Sequence, residues 1–204
     1  MTQKLLLATN NPSKAHEIAE SLQALDLEIL SLLDLDKSKF PEEPPEDGET
    51  FEDNARIKAE FWVKQTGLPT LADDSGILVE ALPNELGVKT VRFGKGPEAS
   101  DAQWLDYFLA RMEGKENRQA KFVCVLALTQ PQGSTPRVEF FRGEVTGRIT
   151  EKIESPILPR IPLSSVFLAD GTEKVFAAMS AAEKAQWSHR GKALGKAKVF
   201  LESV

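Results

Sequence analysis

The feature that most constrains this chain is a pair of adjacent carboxylates set between two apolar runs. Asp73 and Asp74, followed by Ser75 and Gly76, separate the apolar residues 68–72 from those that resume at residue 77. The first run predicts a buried strand that ends at the acids. Charged groups are then expected at the carboxyl end of a strand, where open α/β sheets bind ligands. The stretch is therefore the first candidate for a functional site.

The two acids fit two chemical roles and one structural role. Because adjacent carboxylates repel, one of their pKa values rises unless a cation lies between them. Carboxylate oxygens are preferred ligands of Mg²⁺, and a carboxylate can also act as a base that activates water. Asp, Ser and Gly are ordinary turn formers as well, so a solvated turn explains the same residues without any chemistry. Residues elsewhere in the chain must decide between these interpretations.

Length and composition bound the architecture and the partners. A chain of 204 residues that is 41% hydrophobic and 27% charged has an ordinary globular composition, and we expect one domain over residues 1–204. The net charge of -6 argues against a broad nucleic-acid-binding surface. No apolar stretch approaches the roughly 20 residues that span a membrane, and the apolar run at the amino terminus is too short for a signal peptide. We therefore expect a cytoplasmic protein with no nucleic-acid or membrane partner.

The chain has a single cysteine, Cys124, which excludes internal disulfide bonds and zinc sites built from several thiolates. It lies in the apolar run of residues 122–128. That setting favours a buried core thiol over a reactive nucleophile.

The amino terminus has the pattern of a strand, a polar turn and a helix. The apolar residues 4–9 predict a buried strand, Asn11 is a plausible N-cap, and Pro12 is suited to the first position of a helix. Such a turn directs free backbone N–H groups at whatever lies above it, and Lys14 adds a full positive charge. The glycines of a P-loop are missing, so the turn is only a weak indication of a phosphate site.

Further elements follow from apolar periodicity and turn residues. We predict strands at residues 27–33, 87–93, 120–128 and 138–149, of which the last two form an antiparallel pair. We predict helices at residues 50–65 and 101–112, a third helix that begins at residue 180, and a last helix that ends at about residue 201. The proline-rich, acidic residues 34–48 read as a loop. Glu46, near its end, precedes the helix that leads to the carboxylate strand, so three acids could converge on a divalent cation.

A cluster of cations lies near the carboxyl end of this acidic chain. Lys184, His189, Arg190 and Lys192 fall within nine residues. An Arg beside a His suits phosphate, because Arg can bind phosphate through two parallel hydrogen bonds. An exposed basic helix end that complements the helix dipole explains the same residues. On these residues alone the exposed helix end is the preferred interpretation.

In combination the motifs resemble the inosine triphosphate pyrophosphatase (ITPase) family, which hydrolyses nonstandard purine nucleoside triphosphates. The matching segments occur in family order across nearly the whole chain: LLLATNNPSK (5–14), TFEDNARIKA (50–59), LADDSGILV (71–79), FVCVLAL (122–128), GEVTGRI (143–149) and SHRGKAL (188–194). The resemblance implies an elongated α/β fold, with a mixed β-sheet flanked by helices, two lobes with a central cleft, and a homodimer.

The resemblance also implies roles for individual residues. Asp74 would be the catalytic acid and a Mg²⁺ ligand, with Glu46 as a second ligand and Asp73 assisting in catalysis. Asn54 would brace the metal site. A larger set of polar and cationic residues would bind the nucleoside triphosphate: Thr9, Asn10, Asn11, Lys14, Ser75, Lys184, His189 and Arg190.

One segment departs from the family pattern. The family usually has a glycine-rich segment ending Phe-Gly-Tyr-Asp-Pro, which recognises the purine base, whereas residues 157–165 here read ILPRIPLSS, with no glycine, aromatic ring or Asp. Three prolines at residues 156–162 would stiffen this stretch. Phosphate and metal chemistry can therefore persist while base selection is lost or altered.

The sequence thus predicts a Mg²⁺-dependent pyrophosphatase that sanitises the nucleotide pool, cleaving dITP, ITP or XTP to the monophosphate and pyrophosphate. Three alternatives remain open. One is a nucleotide-binding protein without turnover, another is a pyrophosphatase with altered base specificity, and the third is a general phosphatase that releases orthophosphate.

Overall fold

The protein is described here by a computed structural model, which covers residues 3–36, 38–92, 99–131 and 137–203 and excludes the side chains of residues 91 and 92. Within these residues there are six strands and five α-helices. The strands are β1 (Gln3–Ala8), β2 (Leu27–Ser31), β3 (Thr70–Val79), β4 (Gln119–Thr129), β5 (Val138–Ile149) and β6 (Phe167–Ala169). The helices are α1 (Pro12–Leu22), α2 (Phe51–Thr66), α3 (Asp101–Met112), α4 (Ala181–Trp187) and α5 (His189–Leu201).

The strands form one mixed sheet in the order β2-β1-β3-β4-β5-β6. Strand β1 pairs in parallel with both β2 and β3, whereas β5 and β6 are antiparallel. The predicted mixed α/β class is therefore confirmed. Strands β4 and β5 are neighbours as predicted, but the turn predicted between them, residues 131–135, lies outside the described residues except for Pro131.

The chain divides into two compact units, each with its own apolar core. Unit 1 comprises Met1–Asp74, Cys124–Arg142 and Ala193–Val204, and its core includes Leu5, Ile18 and Leu126. Unit 2 comprises Ser75–Val123 and Gly143–Lys192, and its core includes Phe108 and Phe167. The single domain over residues 1–204 stays a prediction.

Local sequence signals account for the helix ends. The Asn11 side chain accepts hydrogen bonds from the backbone N–H groups of Ser13 and Lys14, with Pro12 as the first helical residue. Ser180 and Glu183 form the predicted capping box at the start of α4. Each of these caps satisfies backbone donors that have no partner inside the helix.

Three predicted elements differ from the structure. The segment predicted as a strand at residues 87–93 is a 3₁₀ helix over Gly87–Arg92, and residue 93 lies outside the described part. Strand β2 ends at Ser31, because Ser31 caps a second 3₁₀ helix over Leu32–Asp34. Strand β3 does not end at the acids but continues to Val79. Among the described residues, no helix is long and apolar enough to span a membrane.

Candidate functional site

The two adjacent acids lie inside β3 and not in a turn. Asp73 is 3% exposed, and Asp74 retains only 14% of its side-chain exposure. The interpretation of this stretch as a solvated turn is therefore wrong. A buried carboxylate needs hydrogen-bond or ionic partners, because loss of hydration strongly disfavours the charged form. Those partners define the site.

Asp73 contacts residues from two other elements of unit 1. Its Oδ1 forms an ion pair with the ammonium group of Lys14, which lies in the first turn of α1. Its Oδ2 accepts a hydrogen bond from the thiol of Cys124 in β4, with 3.2 Å between Sγ and Oδ2. The two oxygens of this buried carboxylate are thus each bound by a residue of a different element.

Asp74 contacts a lysine that the sequence analysis did not single out. Lys58 of α2 donates from Nζ to Asp74 Oδ1 at 2.7 Å and to the Asp73 backbone oxygen at 3.0 Å. Its Nζ also lies 3.5 Å from Glu46 Oε1. Glu46 and Asp74, predicted to share a metal, are therefore both within ion-pair distance of one ammonium group. The helix period could have indicated Lys58, since it lies one turn beyond Asn54 on α2.

The loop that carries Glu46 is anchored to the same helix. The side-chain oxygen of Asn54, which is 3% exposed, accepts a hydrogen bond from the backbone N–H of Gly48 at 2.9 Å. Asn54 thus fixes the loop two residues beyond Glu46. The role of Asn54 in bracing a metal site stays a prediction.

The charges of this acid–ammonium cluster do not balance. Its members are the three carboxylates and two ammonium groups of Lys14, Glu46, Lys58, Asp73 and Asp74, so the formal charge is -1. Burial raises the pKa of Asp74 above its usual range, and the attraction of Lys58 offsets only part of that effect. Burial alone would lower the pKa of Lys58, but Asp74, Glu46 and Asp73 raise it above its ordinary value.

One atom in the cluster is unsatisfied. Asp74 Oδ2 is buried, and no group in the described part of the chain hydrogen-bonds to it. An unpaired carboxylate oxygen in a cluster with excess negative charge suits a hard cation. The described residues contain no group of three or more Asp, Glu, His or Cys arranged to hold a metal. Mg²⁺ is nevertheless commonly held by only one or two carboxylates together with water and substrate phosphates, so Asp74 and Glu46 fit that ion.

The turn between β1 and α1 brings three of the predicted substrate-binding residues together. Thr9 Oγ1 accepts a hydrogen bond from the backbone N–H of Asn11 at 3.1 Å. The Asn10 amide donates to both carboxylate oxygens of Glu43, at 3.1 and 3.3 Å. Asn11 caps α1, and Lys14 follows in its first turn. The turn is thus ordered and rich in polar groups at a helix amino terminus, a setting that attracts anions.

Unit 2 holds the remaining predicted residues. Arg190 Nη2 lies 3.3 Å from Ser75 Oγ, so the structure brings these two residues together. Arg190 is 5% exposed and His189 is 7% exposed, so the interpretation as an exposed basic helix end is wrong for these two residues, whereas Lys192 is exposed. Lys184 lies in α4 and is half-buried.

The His189 ring is fixed by stacking in unit 2. Its centroid lies 4.6 Å from that of Phe122 with an angle of 12° between the planes, and 6.0 Å from that of Phe176 at 14°. Both phenylalanines are buried. The aromatic contacts therefore hold the imidazole plane in one orientation at the start of α5.

Residues 155–165, which replace the family's base-recognition segment, fold into unit 2. The Glu154 N–H donates to the Ser165 carbonyl at 3.0 Å, and Ser165 Oγ donates to the Pro156 carbonyl at 3.2 Å. Leu163 is 5% exposed and belongs to the unit 2 core. Arg160 adopts a positive φ of 61° and its N–H donates to Asp101. The segment is therefore packed against its own unit by hydrogen bonds and apolar contacts.

Comparison with known proteins gives a consistent set of relatives. A family model described as the Ham1 family matches residues 5–200. A dITP/XTP pyrophosphatase of Thermus thermophilus is 41% identical over 197 residues, which cover 94% of this chain and 88% of the relative. A dITP/XTP pyrophosphatase of Leptospira interrogans is 35% identical over 203 residues, which cover 100% of this chain and 99% of the relative.

Solved structures resemble the chain over nearly its whole length. The Ham1 protein of Coxiella burnetii has a TM-score of 0.81 at 31% identity, with coverage of 99% of this chain and 100% of that chain. The Ham1 protein of Staphylococcus aureus has the same TM-score at 27% identity, with coverage of 98% and 99%. A nucleoside-triphosphatase / dITP/XTP pyrophosphatase of Mycobacterium abscessus has a TM-score of 0.69 at 35% identity, with coverage of 96% and 98%.

Proposed function

Because the chain belongs to the Ham1 family, we propose that it is a Mg²⁺-dependent pyrophosphatase that cleaves dITP and XTP to the monophosphate and pyrophosphate. Relatives that are 35–41% identical over most of the chain are named dITP/XTP pyrophosphatases, which supports the activity. The observation that carries the mechanism is the acid–ammonium cluster, in which the buried Oδ2 of Asp74 has no partner among the described residues.

Asp74 and Glu46 are the proposed Mg²⁺ ligands. When bound, Mg²⁺ would neutralise charge that develops on the phosphate oxygens. In the protein without metal, Lys58 lies within ion-pair distance of both carboxylates. With Mg²⁺ bound to those carboxylates, Lys58 would be available to bind substrate phosphate. Asp74 orients the attacking water, and its proton affinity depends on the burial and charge of the cluster.

The turn after β1 is the proposed phosphate site. The Lys14 ammonium binds the triphosphate at the amino terminus of α1, where the helix dipole favours an anion; the backbone N–H groups of Ser13 and Lys14 already donate to the Asn11 side chain. The side chains of Thr9, Asn10 and Asn11 line this turn. Because the Asn10 amide nitrogen donates to both carboxylate oxygens of Glu43, that carboxylate competes with a phosphate oxygen for the same donor.

The cationic residues of unit 2 are proposed to contact the nucleotide. Arg190, held next to Ser75, provides a planar donor that matches phosphate, and Lys184 provides a second positive charge. His189 is suited to recognition because stacking on Phe122 fixes its ring. A fixed donor or acceptor discriminates between substrates better than a mobile one does.

Altered base specificity is the second candidate. It is favoured by residues 155–165, which lack an aromatic ring and are packed into unit 2 by Leu163 and by the hydrogen bonds of Ser165. A pyrophosphatase of this kind would keep the phosphate and metal chemistry while accepting other bases. The two candidates differ only in which triphosphates release pyrophosphate.

The role of Asp74 is tested by Asp74→Asn, which keeps the size of the side chain but removes its charge. We expect turnover with Mg²⁺ to fall by about a thousandfold or more, since both metal binding and water orientation are lost. Asp106→Asn, an exposed position on α3, makes the same change in net charge and should retain full activity. Near-normal turnover by Asp74→Asn would show that the catalytic carboxylate lies elsewhere.

A further inference from the structure

The buried thiol of Cys124 faces a carboxylate, which is an unusual partner for a core cysteine. Cys124 is 0% exposed, and its Sγ lies 3.2 Å from Oδ2 of Asp73, whose side chain is also 0% exposed. A thiol is a weak donor, whereas a carboxylate is a strong acceptor. Because both side chains are shielded from solvent, even a weak donor stabilises a charged acceptor.

The other oxygen of the same carboxylate holds Lys14. The Lys14 ammonium pairs with Asp73 Oδ1 while the thiol occupies Oδ2, so rotation of the carboxylate group would disturb both contacts. The three groups come from different elements, namely α1, β3 and β4. Cys124 therefore limits the orientation of Asp73, and Asp73 in turn limits the position of the Lys14 ammonium.

We propose that Cys124 is a positioning residue whose thiol orients Asp73, so that Asp73 holds Lys14 in place to bind the substrate triphosphate. The final step, phosphate binding by Lys14, rests on the proposed function. Asp73 is then an anchor for a cation and not the group that activates water, because its side chain has no exposed surface. A cysteine that only fills space in the core would leave Lys14 unaffected.

The hydrogen bond itself can be tested without any assay of activity. The S–H stretching band lies clear of other protein bands, and this chain has one cysteine, so the band has a single assignment. We expect infrared spectra to show it at lower frequency than the band of an alkanethiol in an apolar solvent. Asp73→Asn should shift it to higher frequency, because an amide oxygen is a weaker acceptor. A band in the parent protein at the frequency of the free thiol would overturn the proposal.

Substitutions at Cys124 test whether the contact matters for the substrate. Cys124→Ala removes the donor, and we expect the KM for dITP to rise about fivefold, the factor that a typical hydrogen bond provides, with a much smaller change in kcat. Cys124→Ser replaces the thiol by a hydroxyl donor and should restore a KM close to that of the parent. Equal KM values for the parent and Cys124→Ala would overturn the positioning role.

A matched core variant separates positioning from simple loss of packing. Val125→Ala removes buried atoms from the adjacent position of β4, so it lowers the stability without removing a donor to Asp73. We expect its KM to be unchanged, whereas a KM increase like that of Cys124→Ala would attribute the effect to packing and overturn the proposal. If the parent hydrolyses no triphosphate, the proposed function fails, but the infrared spectra still decide whether the thiol binds Asp73.

Discussion

Asp74 combines a buried position with an oxygen, Oδ2, that accepts no hydrogen bond from the described residues. Stability alone does not favour such an arrangement, because an unsatisfied buried carboxylate raises the free energy of the folded state. Lys58 compensates Oδ1 but leaves the cluster with an excess negative charge. Strain of this kind is expected at functional sites, where a ligand completes the set of contacts.

The raised pKa of Asp74 predicts how stability depends on pH in the protein without metal. A folded-state pKa above the unfolded value means that the protonated form favours folding. Protonated Asp74 therefore contributes to the free energy of unfolding. This contribution is complete below the pKa of the unfolded state and is lost as the pH rises through the pKa of the folded state. Asp74→Asn lacks this titration. We therefore expect the variant to gain stability relative to the parent as the pH rises above about 4, the ordinary pKa of an aspartic acid.

Urea unfolding at a series of pH values in the presence of a chelator measures this difference. The free energies of unfolding of the parent and Asp74→Asn should converge at the acidic end. A difference that stays constant with pH would show that burial does not raise the pKa of Asp74. Asp106→Asn again serves as the control for the change in net charge, because its side chain is exposed.

Sequence reasoning identified most of the residues in the cluster but not its contacts. Lys14, Asp73 and Asp74 lie in conspicuous motifs next to buried strands, so composition and spacing were enough to select them. Lys58 and the Cys124 contact were missed, because both depend on which side chains from separate elements meet. Hydrophobic periodicity indicates that a residue faces inward, but it does not indicate its partner.

The start of α5 shows how one glycine permits a close approach between elements. Ser188 links α4 to α5, and its Oγ accepts a hydrogen bond from the Gly191 N–H at 2.9 Å. A Cβ atom at Gly191 would overlap the carbonyl oxygens of Ala185 and Lys184 in α4. Glycine is therefore required for α5 to begin where it does, with His189 and Arg190 as its first two residues.

Two substitutions one turn apart on α5 test this requirement. Gly191→Ala should lower the free energy of unfolding by about 2 kcal/mol through overpacking and should also weaken activity, since His189 and Arg190 shift. Gly195→Ala meets no atom within 4 Å and should raise stability by about 0.5–1 kcal/mol through better helix propensity. Thermal unfolding of the two variants measures both changes in stability. Equal effects of the two substitutions would contradict the close approach at Gly191.

The elements with clear end signals were predicted best. The bounds of helix α3 agree with prediction because a capping residue marks its start, and the bounds of strand β5 agree because a run of alternating residues defines it. Residues 87–93 were predicted wrongly as a strand. Their described part forms a 3₁₀ helix in which Thr90 Oγ1 hydrogen-bonds to the Gly87 carbonyl and to the Ile77 N–H. A short apolar run carries too little periodicity to distinguish these conformations.

Across the whole chain, the resemblance to the ITPase family is confirmed by the Ham1 family match over residues 5–200 and by the solved structures. The ordered set of motifs made this identification possible from sequence. The consequence of the altered residues 155–165 could not be predicted, because base selection depends on the precise positions of hydrogen-bonding groups. Assembly as a homodimer stays a prediction.

Pyrophosphate release from nonstandard purine nucleotides is tested by a substrate panel with purified protein and Mg²⁺. The panel contains dITP, ITP, XTP, the common nucleotides and pyrimidine triphosphates, with pyrophosphate and orthophosphate measured separately. We expect pyrophosphate, chiefly from dITP, ITP and XTP, and none when a chelator replaces Mg²⁺. Pyrophosphate chiefly from other nucleotides would favour altered base specificity. Orthophosphate as the first product, or no product from any nucleotide, would show that the protein is not a nucleoside triphosphate pyrophosphatase.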